Sequence, residues 1–294
     1  MANLKEVRTR ISSVKSTRQI TSAMKMVSAA KLRRAQDKIV KLRPYAGKLH
    51  ELLVGISASI GEDGIRSSYA VDREPEKVLL IVVTSNRGLC GAFNSNVIKE
   101  TARVISDNYS EQYREGRLWL MTVGKKGFDY FRKRNYQLFG DYSRLFDDLT
   151  FDSASEIAQK LMDIFLEAQF DRIDIIFNQF RNAAAQDLKH RRFLPVEKQE
   201  PEENGNDNFD YIFEPSRNEI LLELIPKSLK VQFYSALLDS YVAEHGARMT
   251  AMHMATDNAT EMINTLTLDY NKARQAAITS QILEVVSGAE ALKG

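Results

Sequence analysis

The sequence predicts a long antiparallel two-helix coiled coil, formed by the two ends of the chain, and a Rossmann-like α/β domain with a mostly parallel sheet between them. Three observations lead to this fold class. The C-terminal part carries a heptad-like repeat, with neither proline nor glycine between residues 247 and 287. The N-terminal part carries a second repeat, and strand and helix signals alternate between the two. The predicted boundaries are residues 1–60, 76–214 and 226–288.

The C-terminal helix is predicted to begin at Pro226, which the first helical turn tolerates, and to end near Ser287, with Gly288 just beyond it. A helix of about 60 residues is roughly 90 Å long and needs a partner helix of similar length. Its contact residues recur at spacings of four and three, as in a left-handed coiled coil. Most members of this predicted seam are apolar or small: Leu238, Val242, His245, Met249, Met252, Thr256, Ala259, Ile263, Leu266, Tyr270, Ala273 and Ala277.

The N-terminal helix, predicted over residues 3–58 with a bend at Pro44, supplies that partner. Its apolar face is predicted to be regular at first and less regular later: Leu4, Val7, Ile11, Val14, then Ile20, Met24, Val27, Ala30 and Ala35. Residues 1–50 contain 13 Lys and Arg against Glu6 and Asp37, a net charge of +11. The rest of this helix surface is therefore strongly basic.

The middle of the chain has the pattern of an α/β domain. Residues 77–85 (KVLLIVVTS) are rich in β-branched residues around the apolar run 78–83, which is typical of a strand buried on both faces. Further strands are predicted at residues 117–123, 136–139 and 172–181, with helices at residues 94–108, 125–134 and 153–170. Ser153 is the expected cap of the last helix, with Glu156 three residues on. Residues 191–196 and 211–213 are predicted edge strands, separated by an acidic loop at residues 197–208.

Composition excludes several classes of protein. A hydrophobic content of 44% and a charged content of 27% are those of an ordinary soluble protein. The longest strongly apolar run, residues 78–83, is far too short to cross a bilayer. A single cysteine, Cys90, excludes an internal disulfide.

We expect no catalytic residues, no cofactor and no metal ligands. The turn at residues 88–91 (Gly-Leu-Cys-Gly) follows a strand and precedes a helix, but it lacks the glycine spacing of dinucleotide and P-loop motifs. Cys90 has no neighbouring histidine or second cysteine. His245 and His253 lie eight residues apart, which is not a usual spacing for metal ligands on a helix.

The basic N-terminal helix leaves an alternative function open. Such a helix could bind nucleic acid or an anionic membrane, although it has no aromatic residue before Tyr45 and its other face is a coiled-coil seam. The alternative is thus a coiled-coil adaptor or nucleic-acid-binding protein. A dinucleotide-binding enzyme built on the α/β domain is the third hypothesis.

Three segments closely resemble the γ subunit of F-type ATP synthases. They are residues 11–36 (ISSVKSTRQITSAMKMVSAAKLRRAQ), residues 84–94 (TSNRGLCGAFN) and residues 247–292 (ARMTAMHMATDNATEMINTLTLDYNKARQAAITSQILEVVSGAEAL). The resemblance implies a rotor shaft whose terminal helices insert into a hexamer of α and β subunits. The α/β domain would sit on the membrane c-ring beside ε, and one copy would couple proton transport to ATP synthesis or hydrolysis.

The resemblance also implies where such a chain works. It would have no catalytic site or cofactor of its own and would not bind nucleic acid. Its membrane association would be indirect, through the c-ring, at the cytoplasmic face of a bacterial inner membrane.

By motif position, the resemblance implies contacts with β subunits at two levels. Met24, Lys25 and Arg248 would face β in the lower shaft, although Met24 could instead be core. Arg274, Gln275 and Thr279 would engage a β loop higher up, where an Arg fork suits an acidic partner. Arg274 could instead pair with Asp269 or Tyr270 on its own helix. Two further sets complete the implied interfaces: Ile282, Val285, Val286, Ala289 and Leu292 at the shaft tip, and Tyr211 and Glu214 at the c-ring and ε.

Two residues depart from the family pattern. Asn86 stands where the family usually has aspartate, which leaves a capping or charge role open. Gly246 stands where a small helix former is expected, at a cost of about 1 kcal/mol in helix propensity. The paired cysteines of chloroplast members are missing, so we expect no regulation by thiol oxidation.

Overall fold

In a computed structural model, which describes residues 4–59, 69, 71, 73–196 and 217–291, the chain divides into two units. The first unit consists of Met1–Ala29 and Arg248–Gly294, and the second consists of Ala30–Ala247. Helices α1 (Leu4–Ser59) and α6 (Arg217–Ala291) contribute to both. None of the described helices is long and apolar enough to cross a bilayer.

The first unit is a pair of antiparallel helices. Thr21 Oγ1 of α1 lies 2.8 Å from Thr256 Oγ1 of α6, and Lys25 Nζ lies 3.3 Å from His253 Nδ1. Residue numbers therefore rise along α1 in the direction in which they fall along α6, so the helices are antiparallel. The predicted α6 seam is confirmed from Met249 to Ala277, because each of its nine residues there is buried or half-buried, whereas most residues between them from His253 onward are exposed. Leu238, Val242 and His245 are buried as well, but they belong to the second unit.

The α1 side of the seam differs from the prediction. Ile20 is 60% exposed, Val27 is 58% exposed and Ala30 is also exposed. Buried and half-buried residues instead keep an unbroken alternation of three and four: Leu4, Val7, Ile11, Val14, Arg18, Thr21, Lys25 and Ser28. The predicted face was therefore wrong at Ile20, Val27 and Ala30, whereas Met24 is half-buried and Ala35 is buried as predicted. The helical period carries the seam through polar residues that hydrophobicity alone does not select.

Both long helices contain a proline in their interior. α6 begins at Arg217 rather than at the predicted Pro226, and it runs past Gly288 to Ala291. α1 continues through Pro44 to Ser59. Proline removes one backbone hydrogen bond from a helix, but the turns on either side can continue when tertiary packing holds them.

The second unit contains a five-stranded sheet in the order β3-β2-β1-β4-β5. The strands are β1 (Val78–Val83), β2 (Leu118–Val123), β3 (Leu138–Asp141), β4 (Arg172–Phe180) and β5 (Gln186–Leu194). The first four are parallel and β5 is antiparallel, which confirms the mostly parallel sheet. All six residues of β1 are buried, as the apolar run predicts. β5 begins five residues before its predicted start, because its polar sequence hides an edge strand.

Helices cover both faces of the sheet. They are α2 (Phe93–Asn108), α3 (Ser110–Arg114), α4 (Lys125–Arg132) and α5 (Phe151–Leu166), with a short 3-10 turn at Ser143–Phe146. Val78, Leu80 and Val82 of β1 form one core with Val97 of α2 and Phe131 of α4. Leu79 and Ile81 alternate to the other face and are equally buried. Two aromatic rings of α6 pack there: the Phe233 ring contacts the ring of Phe193 in β5, and the Tyr234 ring contacts the ring of Phe151 in α5.

The cap of α5 lies three residues before the predicted one. Thr150 Oγ1 accepts a hydrogen bond from the Ser153 N–H at 3.2 Å, and Ser153 Oγ accepts one from the Thr150 N–H at 3.2 Å. Ser153 is therefore the second member of a capping box, the part that the prediction gave to Glu156.

Gly124 supports a direct test of the sheet geometry. Its φ is +112°, and an added Cβ would lie 2.1 Å from the Thr84 carbonyl oxygen. We expect Gly124→Ala to lower the free energy of unfolding by more than about 2 kcal/mol, because both the backbone conformation and the contact are forbidden. Urea unfolding followed by fluorescence of Trp119, the single tryptophan, measures this loss at β2.

Gly47→Ala is the matched control, because at that exposed helical position a Cβ meets no atom within 4 Å apart from the adjacent residues and the backbone of its own helix. It should leave stability unchanged or raise it by up to about 1 kcal/mol. Equal stability of the Gly124→Ala variant and the wild type would contradict the described approach of β1 to α4.

Candidate functional site

The lower contact residues lie at the helix seam. Met24 and Lys25 are both half-buried, and Lys25 is itself a seam residue. Its Nζ lies 3.3 Å from His253 Nδ1, and the same ring nitrogen lies 3.3 Å from Asp257 Oδ2. Lys25 therefore joins the two helices, and only part of its side chain remains for a partner.

Arg248, expected at a comparable level, is only 7% exposed. Its side chain interacts within the chain, so it is not a free surface cation. A contact with another subunit would have to use the small part of the residue that remains accessible. Its predicted role in contacting β stays a prediction.

The upper cluster is open to solvent. Arg274, Gln275 and Thr279 are all exposed, and Thr279 Oγ1 donates a 3.0 Å hydrogen bond to the Gln275 carbonyl. Arg274 forms no salt bridge with any residue that the structure describes, so the alternative pairing with Asp269 is not formed. The guanidinium is available to an external acceptor.

Among the residues that the structure describes, none lies beside the last turns of α6. With Thr21 level with Thr256, Leu4 at the start of α1 lies level with about Ala273. Beyond Ala277 every described residue is exposed, with Ile282 at 57%, Val285 at 71% and Val286 at 52%. An apolar surface of this kind on a single helix is suited to an apolar partner.

Several predicted positions lie outside the described residues. These are Leu292, Tyr211, Glu214, the predicted strand at residues 211–213 and the acidic loop at residues 197–208. Ala289, by contrast, is one of the described residues, and it is exposed.

The sequence analysis assigned Ile20 and Val27 to the seam, but they lie on the outside of α1. Ile20, Met26 and Val27 are 60%, 65% and 58% exposed. Ile20 and Val27 are two helical turns apart, so both lie on one side of α1. The signal was present in the sequence, because these residues are out of phase with the seam that begins at Leu4. They form a second candidate surface for a partner protein.

The turn after β1 is braced by its own side chains. Ser85 Oγ donates to the Arg87 carbonyl at 2.6 Å, and Asn94 Oδ1 accepts from the Ser85 N–H at 2.9 Å. Cys90 is 2% exposed, and its Sγ lies 3.2 Å from Asn94 Nδ2. Leu89, with a φ of +63°, is the exposed apex.

The neighbouring N-terminus of α4 is already capped. The Lys125 N–H donates to Asn86 Oδ1 at 3.0 Å, the Lys126 N–H to the Ser85 carbonyl at 3.1 Å and the Gly127 N–H to Thr84 Oγ1 at 2.9 Å. These are the groups that bind phosphate in nucleotide-binding folds, and here the chain itself occupies them.

Asn86 uses both ends of its amide. While Oδ1 caps α4, Nδ2 donates to the Ser143 carbonyl at 2.8 Å, so one side chain joins the segments that follow β1, β2 and β3. An aspartate could accept from Lys125, but it could not donate to Ser143. The amide therefore has a capping role, which the sequence left open.

The crevice at the carboxyl ends of β1 and β4 is filled as well. Strand order reverses at this point, where open α/β sheets usually bind ligands. Cys90 and Phe93, which follow β1, form an apolar cluster there with Ala243 of α6, and Phe180 and Ala247 pack against it. A helix of the same chain takes the place of a ligand.

A buried polar network joins β4 and β5 to the end of α2. Asp174 is 2% exposed, and its Oδ2 accepts from the Tyr109 hydroxyl at 2.5 Å and lies 2.7 Å from His190 Nε2. Burial, together with the nearby Asp174 carboxylate, raises the pKa of Tyr109. Tyr109 therefore stays protonated and acts as a hydrogen-bond donor.

Asp239 is a second buried carboxyl, on α6. Burial raises its pKa to about 6, although Arg43, Arg191 and a hydrogen bond from the Phe180 N–H oppose the shift. The nearest Arg43 nitrogen is 4.0 Å from Asp239 Oδ1. This long contact does not compensate fully for the lost hydration of the carboxylate.

Comparison with known proteins gives a consistent result. A family model described as ATP synthase matches residues 3–292. The chain is 55% identical to the ATP synthase gamma chain of Flavobacterium johnsoniae over 294 residues, and 54% identical to that of Flavobacterium psychrophilum over 297 residues. In both alignments all of each chain is covered.

A solved structure has a similar fold. It is a chain of the Euglena gracilis mitochondrial ATP synthase, from a structure described as OSCP/F1/c-ring in rotational state 3. The TM-score is 0.65 at 20% identity, with 98% of this chain and 94% of that chain covered.

Replacement of Asn86 tests its double role. Asn86→Ala should lower the free energy of unfolding by about 1–2 kcal/mol, since the Lys125 N–H loses its cap and the Ser143 carbonyl loses its donor. Asn86→Asp should retain part of that stability, because an anion at the start of α4 is favourable. Urea titration of the three proteins, with Trp119 fluorescence as the signal, should rank them wild type, Asp variant, Ala variant. If the Ala variant is as stable as the wild type, Asn86 does not stabilise the start of α4 as proposed.

Asp239 predicts a pH-dependent change in stability. Its pKa rises from 3.8 in the unfolded chain to about 6 in the fold, so folding favours the protonated form. The associated stability is present below about pH 4 and is lost as the pH rises through about 6. Asp239→Asn should therefore raise the free energy of unfolding at pH 8 by roughly 1–3 kcal/mol, and by less at pH 5.

The measurement is urea unfolding of both proteins at the two pH values. Glu261→Gln, an exposed change on the same helix, is the control and should give the same difference from wild type at each pH. An Asn variant that is less stable than the wild type at pH 8 would mean that Arg43 and Arg191 outweigh the loss of hydration.

Proposed function

Because the chain belongs to the family of ATP synthase γ chains, we propose that it is the central-stalk rotor subunit of an F-type ATP synthase. It transmits rotation between the membrane c-ring and the catalytic αβ hexamer, and so couples proton transport to ATP synthesis or hydrolysis. Its partners are the α and β subunits, the ε subunit and the c-ring, with one copy in each complex. This assignment takes precedence over the adaptor, nucleic-acid-binding and dinucleotide-binding alternatives.

The observation that carries the proposal is the seam between α1 and α6. Two antiparallel helices contact each other through residues on one side only, which leaves their outer faces for other proteins. Those outer faces carry exposed apolar residues on α1 and an exposed polar cluster and apolar end on α6. A pair of helices with this distribution is suited to turning inside a sleeve formed by other subunits.

The mechanism depends on the lack of threefold symmetry in such a helix pair. One face carries Ile20 and Val27, another carries Arg274, and the last turns belong to α6 alone. Three β subunits around this shaft meet three different surfaces, so their conformational equilibria differ at any moment. Rotation moves each β subunit through every state in turn, as linkage between contact and nucleotide affinity requires.

Chemistry on ATP belongs to the β subunits in this proposal, and the chain has no catalytic site of its own. Two features support this. The α4 N-terminus, where a phosphate would bind, is capped by Thr84, Ser85 and Asn86. The crevice where a nucleotide would lie is filled by α6.

The proposed location follows from the partners. As part of the F1 complex, the chain lies on the membrane through its contact with the c-ring. The bacterial relatives favour the cytoplasmic face of the inner membrane. Within the complex, Met24, Lys25 and Arg248 would contact β in the lower shaft and Arg274, Gln275 and Thr279 would contact it higher up. The remaining proposed contacts are the tip residues Ile282, Val285, Val286 and Leu292, and the c-ring and ε residues Tyr211 and Glu214.

Reconstitution tests the proposal directly. Purified α and β subunits from the same source should form a stable assembly with this chain and hydrolyse ATP faster than without it. Gel filtration measures the assembly, and phosphate release measures the turnover. If all components are folded and neither assembly nor stimulation occurs, the rotor assignment fails, and binding of the basic helix to nucleic acid becomes the next test.

Arg274 should be a sensitive position within that assembly. Arg274→Ala removes an exposed guanidinium that has no described partner within the chain, so the loss falls on the contact with β. We expect ATP hydrolysis to fall about threefold to tenfold, which corresponds to one charge-assisted contact of roughly 1 kcal/mol. Steady-state hydrolysis by the reconstituted assembly measures the change.

Lys272→Ala is the matched control, since it removes the same charge from the same helix on a different face. It should leave hydrolysis within about twofold of the wild type. Equal losses in both variants would show that net charge rather than the Arg274 contact matters.

A further inference from the structure

Gly246 lies at a close approach of α6 to the backbone of the sheet domain. An added Cβ would be 3.3 Å from Ala183 Cα, 3.4 Å from the Ala183 carbonyl oxygen and 3.5 Å from Phe180 Cε2. Ala183 belongs to the turn that joins β4 to β5. Two of the three nearest atoms are backbone atoms, which can move only if the turn moves.

That turn is held in place by its own hydrogen bonds. Asn182 Oδ1 accepts from the N–H groups of Ala184 and Ala185 at 2.9 Å and 2.7 Å. The Asn182 N–H donates to the Ala185 carbonyl at 3.1 Å. A larger residue at position 246 would therefore push α6 away from the sheet more readily than it would deform the turn.

The residues around Gly246 extend this contact. Ala243 is fully buried, and Ala247 is a partly buried neighbour of the Cys90 and Phe93 cluster. Asn178 of β4 donates to the Phe93 carbonyl at 3.3 Å, which ties the ends of β4 and of the β1 turn together. Small residues on α6 thus fit against a braced edge formed by two strands.

Glycine in a helix interior costs about 1 kcal/mol relative to alanine, and this contact is what glycine permits. We propose that Gly246 is a positioning residue that fixes α6 to the sheet domain, so that torque applied to the domain turns the helix without slip. The proposal rests on the rotor function above and adds one element to it. The crevice used for ligands in other α/β folds holds this part of α6 against the sheet.

The test introduces a wedge and separates ion coupling from hydrolysis. Gly246→Leu keeps helix propensity favourable but adds a side chain that the Ala183 backbone cannot accommodate. In the complete complex in sealed vesicles, we expect the ions transported per ATP hydrolysed to fall at least threefold. In the soluble assembly with α and β, hydrolysis should stay within about twofold of the wild type, because it does not require force at the foot.

Two further variants make the result specific. Gly47→Leu is the same substitution at an exposed helical position where a Cβ meets no other part of the chain within 4 Å beyond its own helix, and it should behave as the wild type in both assays. Ala183→Leu places the wedge on the other side of the same contact. It should reproduce the loss of coupling, and it serves as the test variant if the position 246 variant does not fold.

The assays distinguish failure of the Gly246 proposal from failure of the rotor proposal. Normal coupling in an assembled Gly246→Leu complex overturns the proposal, and so does a parallel fall of hydrolysis and transport, which would indicate a merely structural role. Failure of the rotor function itself looks different, since the wild-type chain would then neither assemble with α and β nor stimulate hydrolysis.

Discussion

Two helices stay in contact over many turns only if their contact residues recur at a regular spacing, and a spacing of 3.5 residues is the constraint on which the first unit depends. On α6 the constraint is met mostly by apolar and small residues from Met249 to Ala277. On α1 it is met by polar residues as well, including Thr21, which shares a hydrogen bond with Thr256. Position in the repeat, rather than hydrophobicity, decides which residues of α1 face the seam, and the displaced apolar residues are left for other subunits.

In the α/β unit, the helix N-terminus and the crevice that nucleotide-binding α/β folds use for ligands are occupied by the chain itself. Asn86, Ser85 and Thr84 occupy the N-terminus of α4, and α6 occupies the crevice between β1 and β4. The same architecture that binds a dinucleotide elsewhere thus holds a helix here. Fold alone does not determine function, and the side chains at one edge of the sheet make the difference.

The fold class and the α6 seam could be predicted because both depend on strong periodic signals. The buried strand β1 was equally clear, since it is apolar at every position. Where polar residues carry the structure, prediction failed: at Arg18, Thr21 and Lys25 in the α1 seam, at the edge strand β5 and at the Thr150 cap of α5. Helix ends were missed where tertiary packing outweighs a local stop signal, as at Pro226 and Gly288. The resemblance placed Arg274 at an exposed position, but it could not show that Arg248 is buried, because burial depends on the packing of the whole chain.

The bare end of α6 has a mechanical consequence. In the first unit, α1 from Leu4 and α6 up to about Ala273 contact each other along a seam. Twisting one of these helices must therefore shear its contacts with the other. Beyond Ala277 a single helix carries any load alone, and only its own backbone hydrogen bonds resist torsion. Elastic deformation therefore concentrates in the last turns, where strain can accumulate and be released while the paired region stays stiff. The end of α6 is therefore less stiff in torsion than the paired region, and the stiffness changes near the level of Leu4, where the described part of α1 begins.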